Sequence, residues 1–398
     1  MAEPVPGPLV SVIIPVRNSP HYLRQCLASL GTSRYTNFEV LVVDDGSTDV
    51  TPLLAAELGA RVVRLQRRAG PAAARNRGAE EARGQYLLFL DADVCVHPDT
   101  VGAFVDAFAA DPAVAAVFGS YDRTPRAPNL LSQYKNLLHH FVHQTGCERA
   151  STFWSGCGAI KRSVFLAVGG YDSEYDRPCV EDIELGIRLR KAGHPVRLHK
   201  HIQATHLKHW TLWGILKTDV WDRGVPWTQL LLRERSVPND LNLKRSQRVS
   251  TLFTAGFLAT FVAGLWALPV LALWPACAFV ALLVADRWSL RQRIPRGWAC
   301  GAALLFLVVA GGAGYHFGTP ALAAGGFLLG IFLLNLRLYA FFARVRHPGF
   351  AALAFPLQLL YYLYSGLAFA VGAGLYLVKA KPTPFFTADK VREPAAVP

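Results

Sequence analysis

Two short acidic clusters, each at the end of an apolar run, are where this chain can do chemistry: Asp44-Asp45-Gly46-Ser47-Thr48-Asp49 and Asp91-Ala92-Asp93. The preceding runs, Glu39 to Val43 and Tyr86 to Leu90, have the length and apolar content of buried strands. Carboxylates that emerge where parallel strands end border the ligand crevice of an open α/β sheet. Asp91 and Asp93 stand two apart, so an extended backbone sets both on one face, where they can address one divalent cation or a metal-bound phosphate. That chemistry suits a nucleoside diphosphate. Alone, Asp45-Gly46 is an ordinary turn and Asp91-Ala92-Asp93 an ordinary solvated loop; together, at the ends of strands of one sheet, they favour a site.

Other candidates carry a bland and a functional meaning side by side. In Ala72-Ala73-Ala74-Arg75-Asn76-Arg77-Gly78 the arginines suit a helix surface, while the Arg75 guanidinium matches phosphate oxygens in a two-point geometry. Glu181-Asp182 is a good acidic helix start, and it also supplies a carboxylate that could take a proton from an acceptor hydroxyl. His206 and His209 lie in a basic segment with Lys208; most such histidines are surface residues, and His206 is the preferred candidate for a metal or leaving-diphosphate contact.

The elements that must position these residues alternate: apolar Val12 to Val16, a helical Pro20 to Leu30, apolar Phe38 to Val43, helical Val50 to Leu58, apolar Val62 to Leu65, helical Pro71 to Arg83 and apolar Tyr86 to Leu90. Strands alternating with helices predict an α/β fold with a mostly parallel sheet covered on both faces. Pro20 and Pro71 suit first-turn helix positions, and Asp49 suits an N-cap. Between Asp111 and Tyr175 the pattern weakens, and the Gly-rich patch from Ser155 to Gly158 suggests an acceptor-side wall of loops and strands. Glu181 to Ala192 returns to helical spacing and Gly193 closes it.

Beyond about Ser250 apolar stretches dominate and acids nearly vanish, which predicts a change of medium from water to lipid. Residues 1–205 form the expected catalytic domain, 206–249 a Trp-rich interfacial segment with Trp210, Trp213, Trp221 and Trp227, 250–380 four to six transmembrane helices, and 381–398 a tail. The expected spans are Thr251 to Leu268, Val270 to Ala285, Trp298 to Gly314, Ala321 to Leu334 and Ala351 to Val378, with an interfacial helix over Leu336 to His347. The formal charge of +13 gathers at Lys244, Arg245, Arg248, Arg287, Arg291, Arg293 and Arg296, beside the apolar segments. That placement points to the cytoplasmic membrane surface and away from nucleic acid. Met1 to Val10 lacks a basic start and a long apolar core, so no cleaved signal is expected and the first domain is placed in the cytoplasm, at the inner or plasma membrane. Seven cysteines without regular spacing imply neither a disulfide framework nor a zinc site.

Taken together, the chain resembles the family 2 glycosyltransferases, enzymes of the GT-A fold, a Rossmann-like architecture. The matching stretches are Val12-Ile13-Ile14-Pro15-Val16-Arg17-Asn18, Val42 to Asp49, Ala74 to Gly78, Leu90 to Asp93, Gly169-Gly170-Tyr171-Asp172 and Glu181 to Leu185, in the family's order over about half the chain. The resemblance implies a nucleotide-sugar site of Pro15, Arg17, Asp45, Arg75, Asp91 and Asp93, with Asp45 on the base and Asp91 at the ribose. It implies Mg²⁺ or Mn²⁺ at Asp93, with Asp91 and His206 as further candidate ligands, Asp182 as general base, and Glu181, Trp154 and Gly156 on the acceptor side. The partners implied are a nucleotide-diphosphate sugar, a lipid-linked or membrane-delivered acceptor, and membrane lipids.

Two departures matter. Arg17 stands where many relatives place an aromatic that packs on the base, and the Gln-x-x-Arg-Trp element of processive synthases is missing, with Arg223-Gly224-Val225-Pro226-Trp227 a loose echo. The expectation is therefore single sugar transfer with inversion at the cytoplasmic face; a processive synthase and a non-catalytic nucleotide-sugar-binding membrane module stand as alternatives. A dinucleotide oxidoreductase is disfavoured because no Gly-x-Gly-x-x-Gly follows the first strand, and a transporter because no ionisable pair lies within the spans.

Overall fold

The computed structural model describes residues 7–235, 237–267 and 319–378. The chain divides into two compact units: one runs to Leu241 and includes the segment from Gly372, and the other is Asn242 to Val371.

In the first unit the expected alternation is found: β1 (Val10–Val16), α1 (Pro20–Leu30), β2 (Phe38–Asp44), α2 (Thr51–Glu57), β3 (Arg61–Arg64), α3 (Gly70–Glu81) and β4 (Tyr86–Leu90). Then follow β5 (Val94–Val96), α4 (Thr100–Ala110), β6 (Ala116–Tyr121), α5 (Leu130–Gln144), β7 (Cys157–Lys161), α6 (Arg162–Ala167), α7 (Glu181–Lys191) and β8 (Val196–His206). One eight-stranded sheet runs in the order β3-β2-β1-β4-β7-β6-β8-β5. Along β1 the side chains alternate. Val12, Ile14 and Val16 pack with Leu23 and Leu27 of α1 and with Phe104 and Phe108 of α4. Ile13 packs on the opposite face with Ala72, Ala74 and Ala79 of α3 and with Leu185 and Leu189 of α7. Period-two alternation between two apolar layers is what a sheet covered on both sides requires.

The sheet is mixed, with four of its seven strand pairings parallel, β6–β8 among them. β1, β2, β3 and β4 are parallel, but β7 enters antiparallel beside β4 and β6, and β5 lies antiparallel on β8. These reversals build the site. Because β7 begins where β4 ends, with Leu90 opposite Cys157, the segment Trp154 to Gly156 lies alongside Asp91, whose N–H donates to the Gly156 carbonyl at 3.2 Å. Asp91 to Asp93 link β4 to β5, although three strands separate those two in the sheet order. Four residue steps reach roughly 14 Å, whereas four strand spacings in a flat sheet span about 19 Å. The sheet must therefore curl around the Asp91–Asp93 link.

α7 carries its own end signals: Glu181, Asp182 and Glu184 in the first turn, Arg188, Arg190 and Lys191 in the last, and Gly193 at φ +79° beyond it. Arg188 pairs with Glu184 and donates to the carbonyls of Val168 and Gly170, each at 2.7 Å, which ties the helix to the Gly169-Gly170 turn. Gly186 sets how closely α7 approaches the site, since a Cβ there would lie 2.2 Å from the Phe153 backbone nitrogen. Gly186→Ala is expected to push α7 outward, at a cost of about 1–3 kcal/mol and a fall in Tm of roughly 2–12 °C for a domain of this size. A thermal melt identical to that of the wild type would refute this.

In the second unit, helices Arg245–Ala267 and Thr319–Leu334 pack through reciprocal Gly–Phe contacts: a Cβ on Gly256 would strike the Phe327 ring, and one on Gly330 the Phe253 ring. Small residues let apolar helices approach closely in this way. Asn335 breaks the chain between Thr319–Leu334 and Leu336–Val345; it donates to Ser250 Oγ at 3.0 Å and accepts from Tyr362 Oη at 2.7 Å. Among the described residues Pro348–Val378 is the one helix long and apolar enough to cross a membrane, or one of two if Leu322–Leu334 and Leu336–Val345, bent by 61°, form one span. Helices thus cover the expected spans Ala321 to Leu334 and Ala351 to Val378, and Thr251 to Leu268 as far as Ala267. Val270 to Ala285, Trp298 to Gly314, the basic residues from Arg287 to Arg296, and the tail lie outside the described residues, so the expected count of four to six is untouched.

Candidate active site

The site is assembled at the ends of β1, β2 and β4 and at the loop before β7. Pro15 is half-buried in β1 and Arg17 is exposed just beyond it. Asn18 takes a left-handed backbone at φ +47°; its side chain accepts from Thr48 N–H at 2.8 Å, and its own N–H donates to Ser47 Oγ at 2.9 Å. The loops after β1 and β2 are thereby clamped together. Asp49 accepts the Thr51 N–H at 2.9 Å, but the N-cap of α2 is Val50, so Asp49 stands one residue before the cap position expected for it.

Asp45, expected at the nucleobase, is only 6% exposed, and its two oxygens accept the N–H groups of Ala69 and Gly70 at 2.6 and 3.0 Å. Its carboxylate therefore fastens the N-terminus of α3 to the end of β2, where a helix's unpaired donors favour an anion. Arg75, expected to reach a phosphate or ribose, has both terminal nitrogens on carboxylates. It is 4% exposed, with Nη2 donating to Asp91 Oδ1 at 2.8 Å and Nη1 to Glu181 Oε1 at 2.9 Å. Burial opposes its charge, and Asp91, Tyr171 and Glu181 more than restore it.

These two ion pairs bring together carboxylates from distant parts of the chain. Asp182, adjacent to Glu181, presents Oδ2 to the Ser155 N–H at 3.2 Å and the Ser155 hydroxyl at 3.3 Å. Burial and the neighbouring Glu181 push its carboxyl up to about 6, against the opposing pull of Ser155, Arg75 and Arg223. Burial and Asp93 also raise Asp91, with Arg75 working against them. Asp93 goes the other way: burial raises it, but His206 and Lys208 outweigh that and hold it below the usual carboxylate range. Environments that separate the proton affinities of nearby acids assign them different roles, one to move a proton and one to stay charged.

His206, the last residue of β8, sits opposite Val94 at the start of β5, so the strand pairing itself carries it to Asp93. Its Nε2 lies 3.5 Å from Asp93 Oδ2. Its ring stacks on Tyr121, with centroids 4.3 Å apart, and its Nδ1 pairs with Asn136 Oδ1 at 2.5 Å. With Nδ1–H donated to Asn136, Nε2 can carry a proton toward Asp93 or, in the neutral ring, present a lone pair as metal-ligating imidazoles do. Among the described residues no group of three or more His, Cys, Asp or Glu side chains could hold a metal ion. A carboxylate and an imidazole nevertheless suit a cation that takes its remaining oxygens from a diphosphate.

Of the residues expected on the acceptor side, Trp154 packs edge-on against Tyr121 at 4.9 Å and tilted on His139 at 5.0 Å. A Cβ on Gly156 would lie 2.6 Å from the Trp154 ring, so this glycine leaves the indole its place. Burial holds His139 well below the ordinary histidine range and brings His143 to about 4, which makes this wall neutral. Ser155, Tyr121 and Asn136 are the residues the sequence missed. Ser155 at least lay within the Gly-rich patch, whereas nothing in the spacing of Tyr121 or Asn136 tied them to His206. Arg223, on a π-helical stretch Lys217–Gly224, acts through its charge on Asp182 and Tyr121. π-helical turns gather at functional sites.

Residues 11–169 match the family model described as Glycosyl transferase family 2. Glycosyltransferase GlyA of Streptococcus pneumoniae serotype 4 is 41% identical over 96 residues, which cover 23% of this chain and 14% of GlyA. Validoxylamine A glucosyltransferase of Streptomyces hygroscopicus subsp. limoneus is 29% identical over 256 residues, covering 51% of this chain and 54% of that enzyme. The chain thus spans about half or less of the length of these two relatives. Among solved structures, the mannosyltransferase PcManGT from Pyrobaculum calidifontis, in complex with GDP-Man and Mn²⁺, aligns with a TM-score of 0.45 at 21% identity over 83% of this chain and 87% of that one.

Proposed function

Because residues 11–169 form a family 2 glycosyltransferase domain, we propose that this protein transfers a sugar, with inversion, from a nucleotide-diphosphate sugar to the hydroxyl of a lipid-linked or membrane-delivered acceptor at the cytoplasmic face. The observation that carries the reading is one buried arginine that pairs with both Asp91 and Glu181, so that the Asp91–Asp93 link and Asp182, the neighbour of Glu181, come together, with the Asp182 carboxyl raised to about 6 and that of Asp93 held low. Asp182 takes the proton of the acceptor hydroxyl as its oxygen attacks the anomeric carbon, and Ser155 orients the carboxylate for that step. The nucleotide occupies the ends of β1 and β2, beside Pro15 and Arg17, in a groove whose far wall Asp45 fixes by pinning α3. Asp93 and His206, with Asp91 nearby, would hold Mg²⁺ or Mn²⁺, which would offset charge growing on the leaving diphosphate. Trp154 and Gly156 form the acceptor wall.

A bilayer-delivered acceptor is supported by the exposed side chains of Leu212, Trp213 and Trp221, which are 46%, 73% and 52% accessible and lie on the segment that follows β8. Tryptophans in such segments settle at the headgroup layer. The long apolar helix Pro348–Val378 supplies an anchor. The test supplies individual labelled nucleotide sugars to membranes containing the protein and follows label into lipid extracts. Label from one donor into one lipid, one sugar per acceptor, supports the reading; label that stays in the donor for every nucleotide sugar, or a ladder of long products, overturns it.

A further inference from the structure

Arg75 does more than fill space between two acids, because it bonds both of them. Its two terminal nitrogens reach in different directions, one to the loop after β4 and the other to the first residue of α7. Glu181 is saturated by the arrangement: Oε1 accepts from Arg75, Oε2 accepts the Cys179 N–H at 2.8 Å, and the side chain is 4% exposed. The root of Arg75 is equally fixed, since α3 is tied at its start by Asp45 and beside it by Asn76, which exchanges two hydrogen bonds with the Tyr171 peptide at 2.7 and 2.8 Å. The guanidinium lies 5.5 Å from the centroid of the Tyr171 ring, and that ring is held edge-on by Phe89 and Phe165.

We infer that Arg75 is a positioning residue, a buried strut that fixes the spacing between donor-side Asp91 and base-side Asp182 and withdraws Glu181 from competition for the acceptor proton. The inference rests on the transferase function proposed for the same site. β4 and α7 belong to separate stretches of chain that share the core of Leu87, Phe89, Leu185 and Leu189, and at the site itself the arginine and the Trp154–Gly156 loop link Asp91 to Glu181 and Asp182. A lysine does not reproduce the arginine: its three donors radiate from a single nitrogen, whereas the planar fork meets the two carboxylates from two separate nitrogens at 2.8 and 2.9 Å. A displacement of about 1 Å at a reacting group costs on the order of 10²-fold in rate.

The experiment compares wild type, Arg75→Lys, Arg75→Gln, Glu181→Gln and the Arg75→Gln/Glu181→Gln double variant, with the nucleotide sugar that the wild type consumes. A strut predicts that Arg75→Lys loses about 10²-fold in kcat with donor KM nearly unchanged. It also predicts that the double variant, which removes both charges together, regains most of the Tm lost in Arg75→Gln but not its kcat. A nucleotide ligand would instead show a raised donor KM at unaltered kcat, and that result, or full recovery of kcat in the double variant, overturns the strut. If the wild type transfers no sugar from any donor, the proposed function falls, and the melting temperatures still decide: additive losses in the two single variants refute the bridge, and strongly non-additive ones sustain it.

Discussion

Asp182→Asn is expected to lower kcat by about 10²–10⁴-fold, the contribution of a positioned general base, while donor KM stays near its wild-type value. The amide keeps the shape of the carboxylate and can still accept from the Ser155 N–H at the site now occupied by Oδ2, so the fold and the donor site should persist. What it cannot do is take a proton. The same assignment fixes the pH dependence. Burial and Glu181 raise the Asp182 carboxyl to about 6, and a base works only when deprotonated, so wild-type kcat should rise with pH through about 6 and level off above it. Below that limb the protonated acid is idle; above it the carboxylate is fully available. The residual rate of Asp182→Asn should lack this limb. A pH profile of kcat for both proteins measures it, and a variant that keeps wild-type turnover, or one that keeps the same acid limb, would remove Asp182 from the mechanism.

The parts of this site that the sequence made legible are those written in local patterns. Val12 to Val16, Phe38 to Val43 and Tyr86 to Leu90 announce strands because their apolar residues are continuous, and Asp44-Asp45 and Asp91-Ala92-Asp93 follow where those strands stop. α7 was legible through the charge gradient along Glu181 to Lys191. Hidden from the sequence was what each polar side chain would meet across the fold. Asp45 and Arg75 occupy the positions that the family resemblance implies, and both also bond the scaffold, Asp45 through Ala69 and Gly70 and Arg75 through Asp91 and Glu181. A residue type at a strand end says that it can bind a ligand, and only long-range pairing says whether its atoms are free. The reversals of β5 and β7 were hidden for the same reason: a three-residue strand such as Val94–Val96 carries too little periodicity to reveal its direction. That pairing, Val94 opposite His206, is what joins a histidine to Asp93 across more than a hundred residues.

Asp93 shows how such pairing sets function, and Asp93→Asn should be as damaging as the loss of the base. The carboxylate is kept charged by His206 and Lys208 although it is largely buried, which suits an acid that must hold a cation and never a proton. Replacing it with a neutral amide removes the charge while keeping the size, so a fall of about 10²–10³-fold in kcat is expected, the scale on which losing one electrostatic stabiliser of the transition state is felt. Mn²⁺ or Mg²⁺ titrations of the rate should show the wild type silenced by chelator and restored by added ion, whereas Asp93→Asn should require far more ion to reach its lower plateau. Asn136→Ala makes a finer probe, because Asn136 touches His206 and not the acid. Loss of such an outer partner weakens metal affinity by about 10–100-fold, so its titration should shift toward higher ion concentration with little change in the plateau. If Asp93→Asn matches wild-type rates in the presence of chelator, or if Asn136→Ala alters the plateau and leaves the ion requirement alone, then Asp93 and His206 serve the fold, and the charge on the leaving diphosphate is met by Lys208 and Arg223 instead.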